Sequence, residues 1–297
     1  MTASTTEETS LARYSRCAQS SAARVIGHYS TSFGVATRLL DARVRVHIRN
    51  IYGLVRIADE LVDGAAAAAG LSVDDQRAIL DALEEDVDRA VATAYSTNLV
   101  VHAFAETARA AGIGSELTGP FFASMRRDLD PAPFTTRNIE DYIYGSAEVV
   151  GLMCLRVFLL DQPVTEEQRE RLEAGARRLG AAFQKINFLR DLSEDWRQLG
   201  RNYFPGITPE RLTDAQRDEL VTHIEVDLLA AHSIIDELPR GSRAAVLAAH
   251  DLFRALCVRA RAVPAAQLLT TRVRVSGARK AIIVLRAQLT GLRRTLK

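Results

Sequence analysis

The chain has little of what marks a secreted, membrane-spanning or nucleotide-fold protein. Its three cysteines, Cys17, Cys154 and Cys257, are odd in number and far apart, which argues against a disulfide framework and for a reducing compartment. No apolar run approaches the ~18 residues of a membrane span. The first residues, MTASTTEETS, lack the basic and apolar regions of a signal peptide. The expectation is a cytoplasmic protein, bound at most peripherally to a membrane surface. With 38 basic against 37 acidic residues the net charge is +1, so no bulk field recommends a nucleic-acid partner. None of the six histidines has Glu-x-x-His or His-x-x-x-His spacing, which disfavours transition-metal ligation. No Gly-rich phosphate loop, GxGxxG fingerprint or recognisable Ser/His/Asp set is present, which disfavours a nucleotide fold.

Alternating strand residues are missing too, and the eight prolines fall at element ends or in loops. What remains is helical periodicity, with an apolar content of 47% that suits a sizeable core. The pattern predicts about ten helices in one all-α domain over residues 11–297, after a disordered tail over residues 1–10. Helices are expected from Leu11 to about His28, after a cap at Ser30 or Ser32, and over Val44–Val62, Ser72–Thr93 and Asn98–Ala111. Another begins at Pro120 and stops before Pro131. Asp141–Leu160 is apolar around most of its circumference and is expected at the centre. Thr165–Asp195 opens with capping-box spacing at Thr165 and Gln168. Thr213–Leu238, Ser242–Val263 and a basic helix around Lys280–Leu296 follow. The five alanines between Gly64 and Gly70 are expected to be loop.

Two helix faces carry the chemistry. In FQKINFLRDLSEDW, Gln184, Asn187, Asp191 and Asp195 fall within an arc of roughly 80°, while Ile186, Leu189, Leu192 and Trp196 form a separate apolar arc. In GLVRIADELVDG, Arg56, Asp59 and Asp63 share one face. Aspartates four apart on a helix repel one another and call for a cation. Hard oxygen ligands favour Mg²⁺, with Mn²⁺ as an alternative, and Mg²⁺ is commonly shared with substrate phosphates. A phosphorylated substrate in an acidic cleft between two helices is the functional expectation. A pair of solvated faces matched to arginines is the bland alternative.

These residues resemble the squalene/phytoene synthase family, from about Tyr29 to the terminal helix. Ser30-Thr31-Ser32-Phe33 is similar to its Ser-x-Ser-Phe element, and Arg56 to Asp63 to its first acidic motif, RxxDDxxD. Tyr142 to Gly151 resembles its central Tyr-Cys-x-x-x-Ala-Gly-x-x-Gly segment. Gln184 to Asp195 resembles its second acidic motif, QxxNxxRDxxED, and Arg201 to Pro205 the GRxYxP element. Two positions depart: Glu60 replaces the second Asp of the first motif, and Glu148 a Gly of the central segment. The wording YSTSFGVATRLL and VRIADELVDG is most similar to bacterial phytoene synthases of high-GC Gram-positive organisms.

The resemblance implies an isoprenoid synthase-type helical fold with a central cleft and a prenyltransferase of carotenoid biosynthesis. It would join two C20 geranylgeranyl diphosphates head to head through a cyclopropyl diphosphate to give phytoene. It also implies metal ligation by Asp59, Asp63, Asn187, Asp191 and Asp195, with Glu194 assisting. Arg56, Arg190, Arg201 and Lys280 are implied diphosphate ligands, and Tyr203 a hydrogen-bond donor to them. Ser30, Ser32, Phe33, Tyr142, Ala147, Gly151 and Gln184 are implied substrate-binding positions. Thr37, one turn after Phe33, is small enough to leave depth for a C20 chain. The competing expectations are a squalene or dehydrosqualene synthase using C15 farnesyl diphosphate, and a non-catalytic prenyl-lipid-binding or assembly protein of the same fold.

Overall fold

The computed structural model describes residues 9–130, 132–197 and 199–293, without the side chains of residues 31, 32 and 291–293. The first helices are α1 (Ser10–Tyr29), α2 (Thr31–Thr37), α3 (Ala42–Asp63), α4 (Ala65–Ala68), α5 (Val73–Thr93), α6 (Leu99–Ala111) and α7 (Ser115–Asp128). After these come α8 (Thr136–Ile143), α9 (Val149–Phe158), α10 (Glu166–Arg197), α11 (Asp214–Ile234), α12 (Arg240–Arg261) and α13 (Gly277–Arg293). No strand occurs among the described residues. Most boundaries follow local chemistry. Ser72 with Asp75, Thr135 with Asn138 and Thr213 with Gln216 form reciprocal capping boxes. Thr165 and Gln168 exchange the same pair of bonds at the start of α10.

Four expectations are corrected. Of the expected tail, residues 1–8 lie outside the described residues, but Ser10 already begins α1, with the Thr9 side chain accepting from the Ala12 amide. The alanines after Gly64 form the short helix α4, because alanine has the highest helix propensity and nothing beside it opposes the turn. Pro120 lies inside α7, which starts five residues earlier at Ser115; proline early in a helix removes one ladder bond without ending it. The central helix is divided: α8 passes into a π-helical turn, Tyr144–Glu148, before α9. A Cβ on Gly145 would stand 2.1 Å from the Pro120 carbonyl oxygen, so the wide turn sits where α7 presses directly on the backbone. Such turns cluster at functional sites.

Two apolar clusters divide the interior. One joins α3, α5, α6, α7 and α9 around Phe104, Phe121 and Phe122, all essentially inaccessible; each contributes about 2–3 kcal/mol by leaving water. The other joins α8, α10, α11 and α12 around Leu189, Leu192 and Leu268. The two acidic faces predicted from sequence, on α3 and α10, belong to opposite clusters.

Candidate active site

Three helix C-termini meet at one centre. Asp63 is the last residue of α3, Asp128 the last of α7, and Asp195 stands two before the end of α10. A helix C-terminus carries the negative pole of the backbone dipole, so these carboxylates face one another and three unfavourable fields. Burial, then Asp63, pushes the Asp59 carboxyl well above the usual carboxylate range. Asp195 is pushed up to about 8, by burial and then by Asp191 and Asp63. Asp128 rises to about 6 through burial, with Arg201 pulling the other way.

Arg201 ties this centre together. Gly200 turns the chain at φ +67°, a conformation a side chain would strain, and the Arg201 amide then donates to the Asp195 carbonyl at 2.8 Å. Its guanidinium donates to Asp63 Oδ1 at 2.6 Å and to the Val62 carbonyl at 2.7 Å, and lies 3.9 Å from Asp128. Burial opposes its charge, yet Asp128, Tyr203 and Asp63 hold it protonated beyond arginine's ordinary range.

Asp128 receives two phenols: Tyr142 donates at 2.9 Å and Tyr203 at 3.0 Å. Their rings stack with centroids 5.3 Å apart, and Phe188 lies against Tyr203 at 4.2 Å. A phenol has one proton, and the Tyr203 proton, for which the resemblance implies a diphosphate acceptor, is here engaged by Asp128. Tyr142 likewise stands at the acidic centre rather than on the wall of either cavity described below.

The remaining carboxylates hold arginines. Asp191 accepts from Arg190 Nε at 3.0 and 3.1 Å and from Arg272 Nε at 2.7 Å. Arg272 also lies 3.9 Å from Glu194. Arg56 pairs with Glu60 one turn on and sits 4.3 Å from the Tyr29 ring centroid, so the Asp-to-Glu departure at residue 60 places an arginine. The second departure lies away from the centre: Glu148 bonds Arg177 Nε at 2.7 Å across to α10.

Two cavities that share wall residues lie beside the arginines held by Asp191. The inner one, about 210 Å³, is lined by Phe33, Thr37, Ala147, Gly151, Phe158 and Leu172 among other apolar or small residues. That is room for several waters at about 30 Å³ each, but walls of this kind offer them no partners and suit an apolar ligand. Small residues make it possible: a Cβ on Gly151 would meet the Ala176 carbonyl at 2.6 Å, and one on Gly180 the Ala147 carbonyl at 2.6 Å. Thr37 spends its hydroxyl on the Gly34 carbonyl at 2.9 Å. The outer cavity, about 570 Å³, shares Phe33 and Phe183 with the inner one and is ringed by Arg56, Arg190, Arg272, Arg274 and Lys280, with no carboxylate among the described residues of its wall. Ser30 and Asn187 line it as well. Ser30 also caps α2 by accepting from the Phe33 amide at 3.1 Å. The Ser32 side chain lies outside the described residues. Gln184 is half-buried on α10 and lines neither cavity.

Among the described residues, no three His, Cys, Asp or Glu side chains already stand together as a metal cluster. The donors nevertheless fit a hard divalent cation. The buried Asn187 Oδ1 has no hydrogen-bond partner, and the carboxyls of Asp59 and Asp195 are raised partly by their own neighbours, a repulsion a cation relieves.

Sequence reasoning missed Asp128, Arg272 and Arg274. In FFASMRRDLD the helix was legible, but a single carboxylate at its end has no periodic partner to single it out. TRVRVS did carry a signal: its alternation buries Val273 and Val275 and exposes the two arginines, the signature of an extended strap.

An all-α fold in which two helices present Asp-x-x-x-Asp faces beside an apolar channel defines the isoprenoid synthase class. A family model described as squalene/phytoene synthase matches residues 26–279, and the chain belongs to that family. Phytoene synthase 1 of Arabidopsis thaliana is 29% identical over 245 residues, 77% of this chain and 53% of that protein, so the chain spans about half its length. The 15-cis-phytoene synthase of a Paracoccus species is 27% identical over 249 residues, 78% of each chain. The solved structure of a dehydrosqualene synthase in complex with a ligand covers 94% of this chain and 98% of its own, with TM-score 0.78 and 22% identity, a likeness of fold.

Proposed function

We propose that the protein is a prenyltransferase that condenses two geranylgeranyl diphosphates head to head to phytoene. The observation that carries this reading is a cavity rimmed by Arg56, Arg190, Arg272, Arg274 and Lys280 that shares its wall with an apolar channel, with Asp191 of the acidic face on α10 holding two of those arginines. A prenyl diphosphate has the matching order, with its charged head beside its hydrocarbon tail. The names of the relatives support the C20 substrate, as do the small residues on the channel wall, Thr37, Ala147 and Gly151 among them.

Arg56, Arg190, Arg272, Arg274 and Lys280 bind diphosphate oxygens, arginine by paired donors and lysine as a point charge. Asp59 and Asp63 on α3, with Asn187, Asp191 and Asp195 on α10, would hold Mg²⁺, or Mn²⁺ in its place. The bound cation supplies Lewis-acid stabilisation of the departing diphosphate. Arg201 orients Asp63 and Asp128, and Asp128 fixes the two phenols. The apolar channel keeps water from the allylic cation formed as the carbon–oxygen bond breaks. The second chain's double bond attacks that cation and a proton is lost as a cyclopropane closes. The remaining carbon–oxygen bond then breaks, the skeleton rearranges and a second proton is lost, so that two diphosphates and two protons leave, and released diphosphate is a base at hand.

The test is chain-length selection. Thr37→Phe fills the channel wall and is expected to lower turnover of the C20 diphosphate about tenfold relative to the C15 one. Unchanged C20 use would remove the pocket argument. Metal-dependent diphosphate release by the unaltered protein separates the enzyme from a prenyl-lipid-binding protein of the same fold.

A further inference from the structure

Helix α13 is attached by one face and bare on the other. Its inner side packs Val284 and Ala287 against Ala36, Ala248 and Ala249 of α2 and α12, and Ile283 against the second apolar cluster. Its outer side leaves Ile282, Leu285 and Leu289 exposed by 50%, 57% and 48%, an i, i+3, i+7 stripe on one face. Three large aliphatic residues in such a row are more than the scattered exposure of an ordinary surface.

Charge identifies the occupant. Arg279 and Arg286 are exposed beside the stripe. From Leu252 to Lys297 the sequence carries eleven basic residues and no acidic one, although the whole chain is nearly neutral. The same surface continues through Lys280, Arg272 and Arg274 into the rim of the outer cavity, where Tyr29 is also exposed. We infer that α13 docks this protein on an anionic lipid bilayer, its apolar stripe in the headgroup–acyl boundary and its arginines on lipid phosphates. An amphipathic helix with basic flanks lies in that plane. A second copy is a poorer match, since a two-fold contact sets Arg279 and Arg286 against their own kind. Docking this way turns the cavity rim toward the bilayer. Only the benefit of that orientation, a dry route for a prenyl chain, rests on the proposed function.

The test is sedimentation of the full chain with vesicles of phosphatidylcholine alone or doped with phosphatidylglycerol, at low and high salt. Binding is expected to need the anionic lipid and to weaken with salt. Arg279→Gln and Arg286→Gln should each weaken it about fivefold. Ile282→Ser with Leu285→Ser and Leu289→Ser should abolish it, while Val226→Ser with Leu229→Ser, at exposed positions of α11, should leave it unchanged. Diphosphate release from detergent-dispersed substrate should stay at the unaltered rate in the α13 variants, showing that they fold. Equal sedimentation with both vesicle types, or unchanged binding by the folded triple variant, overturns the proposal. Light scattering without lipid provides the other contradiction: a dimer that the triple variant makes monomeric would show that a second copy covers the stripe.

Discussion

The two acidic faces share one spacing and solve their charge problem differently. On α3, Asp59 is half-buried with its carboxyl raised well above the usual range, and its partner Asp63 is half-exposed on Arg201. On α10, Asp195 is raised to about 8 while Asp191 holds Arg190 and Arg272. In each pair one carboxylate carries a guanidinium and the other is poised to keep a proton. The difference lies in the arginines: the Arg201 side chain is 13% exposed and Arg272 45%. The first pair is therefore locked into the fold, and the second is held by a cation that also rims the outer cavity.

The largest effect expected is loss of either pair. Asp59→Asn with Asp63→Asn, or Asp191→Asn with Asp195→Asn, should lower diphosphate release at least about a thousandfold. Melting should stay within a few degrees, because the amides keep the shape and remove like-charge repulsion. Near-normal turnover in one double variant would mean that the two faces are not partners.

Arginine removal sharpens the contrast. Arg201→Met leaves Asp128 buried beside no cation and should cost about 3 kcal/mol in chemical denaturation. Arg272→Met, at a half-exposed pair, should cost at most about 1 kcal/mol while weakening substrate binding. Equal costs would erase the distinction drawn here.

The raised carboxyls set a pH dependence. Both Asp128 and Asp195 hold their protons more tightly folded than unfolded, where a carboxyl titrates near about 4. Their contribution to stability is therefore complete at pH below that value and is lost as pH rises through about 6 for Asp128 and about 8 for Asp195. Melting of metal-free protein should decline over that window. Asp195→Asn should flatten its upper part and Asp128→Asn its lower part. A divalent cation, competing with those protons, should bind better as pH rises and restore the melting temperature. Melting that is flat with pH in the unaltered metal-free protein would refute the carboxylate assignment.

The smallest effect belongs to Glu148. Its pair with the half-exposed Arg177 is distant from both acidic faces, so Glu148→Gln should shift stability by less than about 1 kcal/mol and leave turnover unchanged. A large loss of turnover would return that residue to the cleft.

What was legible in the sequence follows from the same physics. Periodic features could be read: the helices, the two Asp-x-x-x-Asp faces, and the caps at Ser30, Ser72 and Thr165. Features made by contact between distant segments could not. The π-helical turn at Tyr144–Glu148 arises where Gly145 meets Pro120 of α7. Asp128 gains its place from Tyr142, Tyr203 and Arg201, which lie up to 75 residues further along the chain. Tyr203 was legible as part of the site, but the destination of its proton depends on that third helix end. Arg272 and Arg274 were hidden for another reason, being on an extended strap in a chain whose signal is almost wholly helical.

The most direct test of the account is to incubate the purified protein with Mg²⁺ and geranylgeranyl diphosphate, or with farnesyl diphosphate, without NADPH, and to weigh the extracted hydrocarbon by mass spectrometry. A C40 hydrocarbon from the C20 substrate is the predicted result. A C30 product alone would keep the acidic centre and overturn the chain length, and no hydrocarbon from either substrate would contradict the account at its centre.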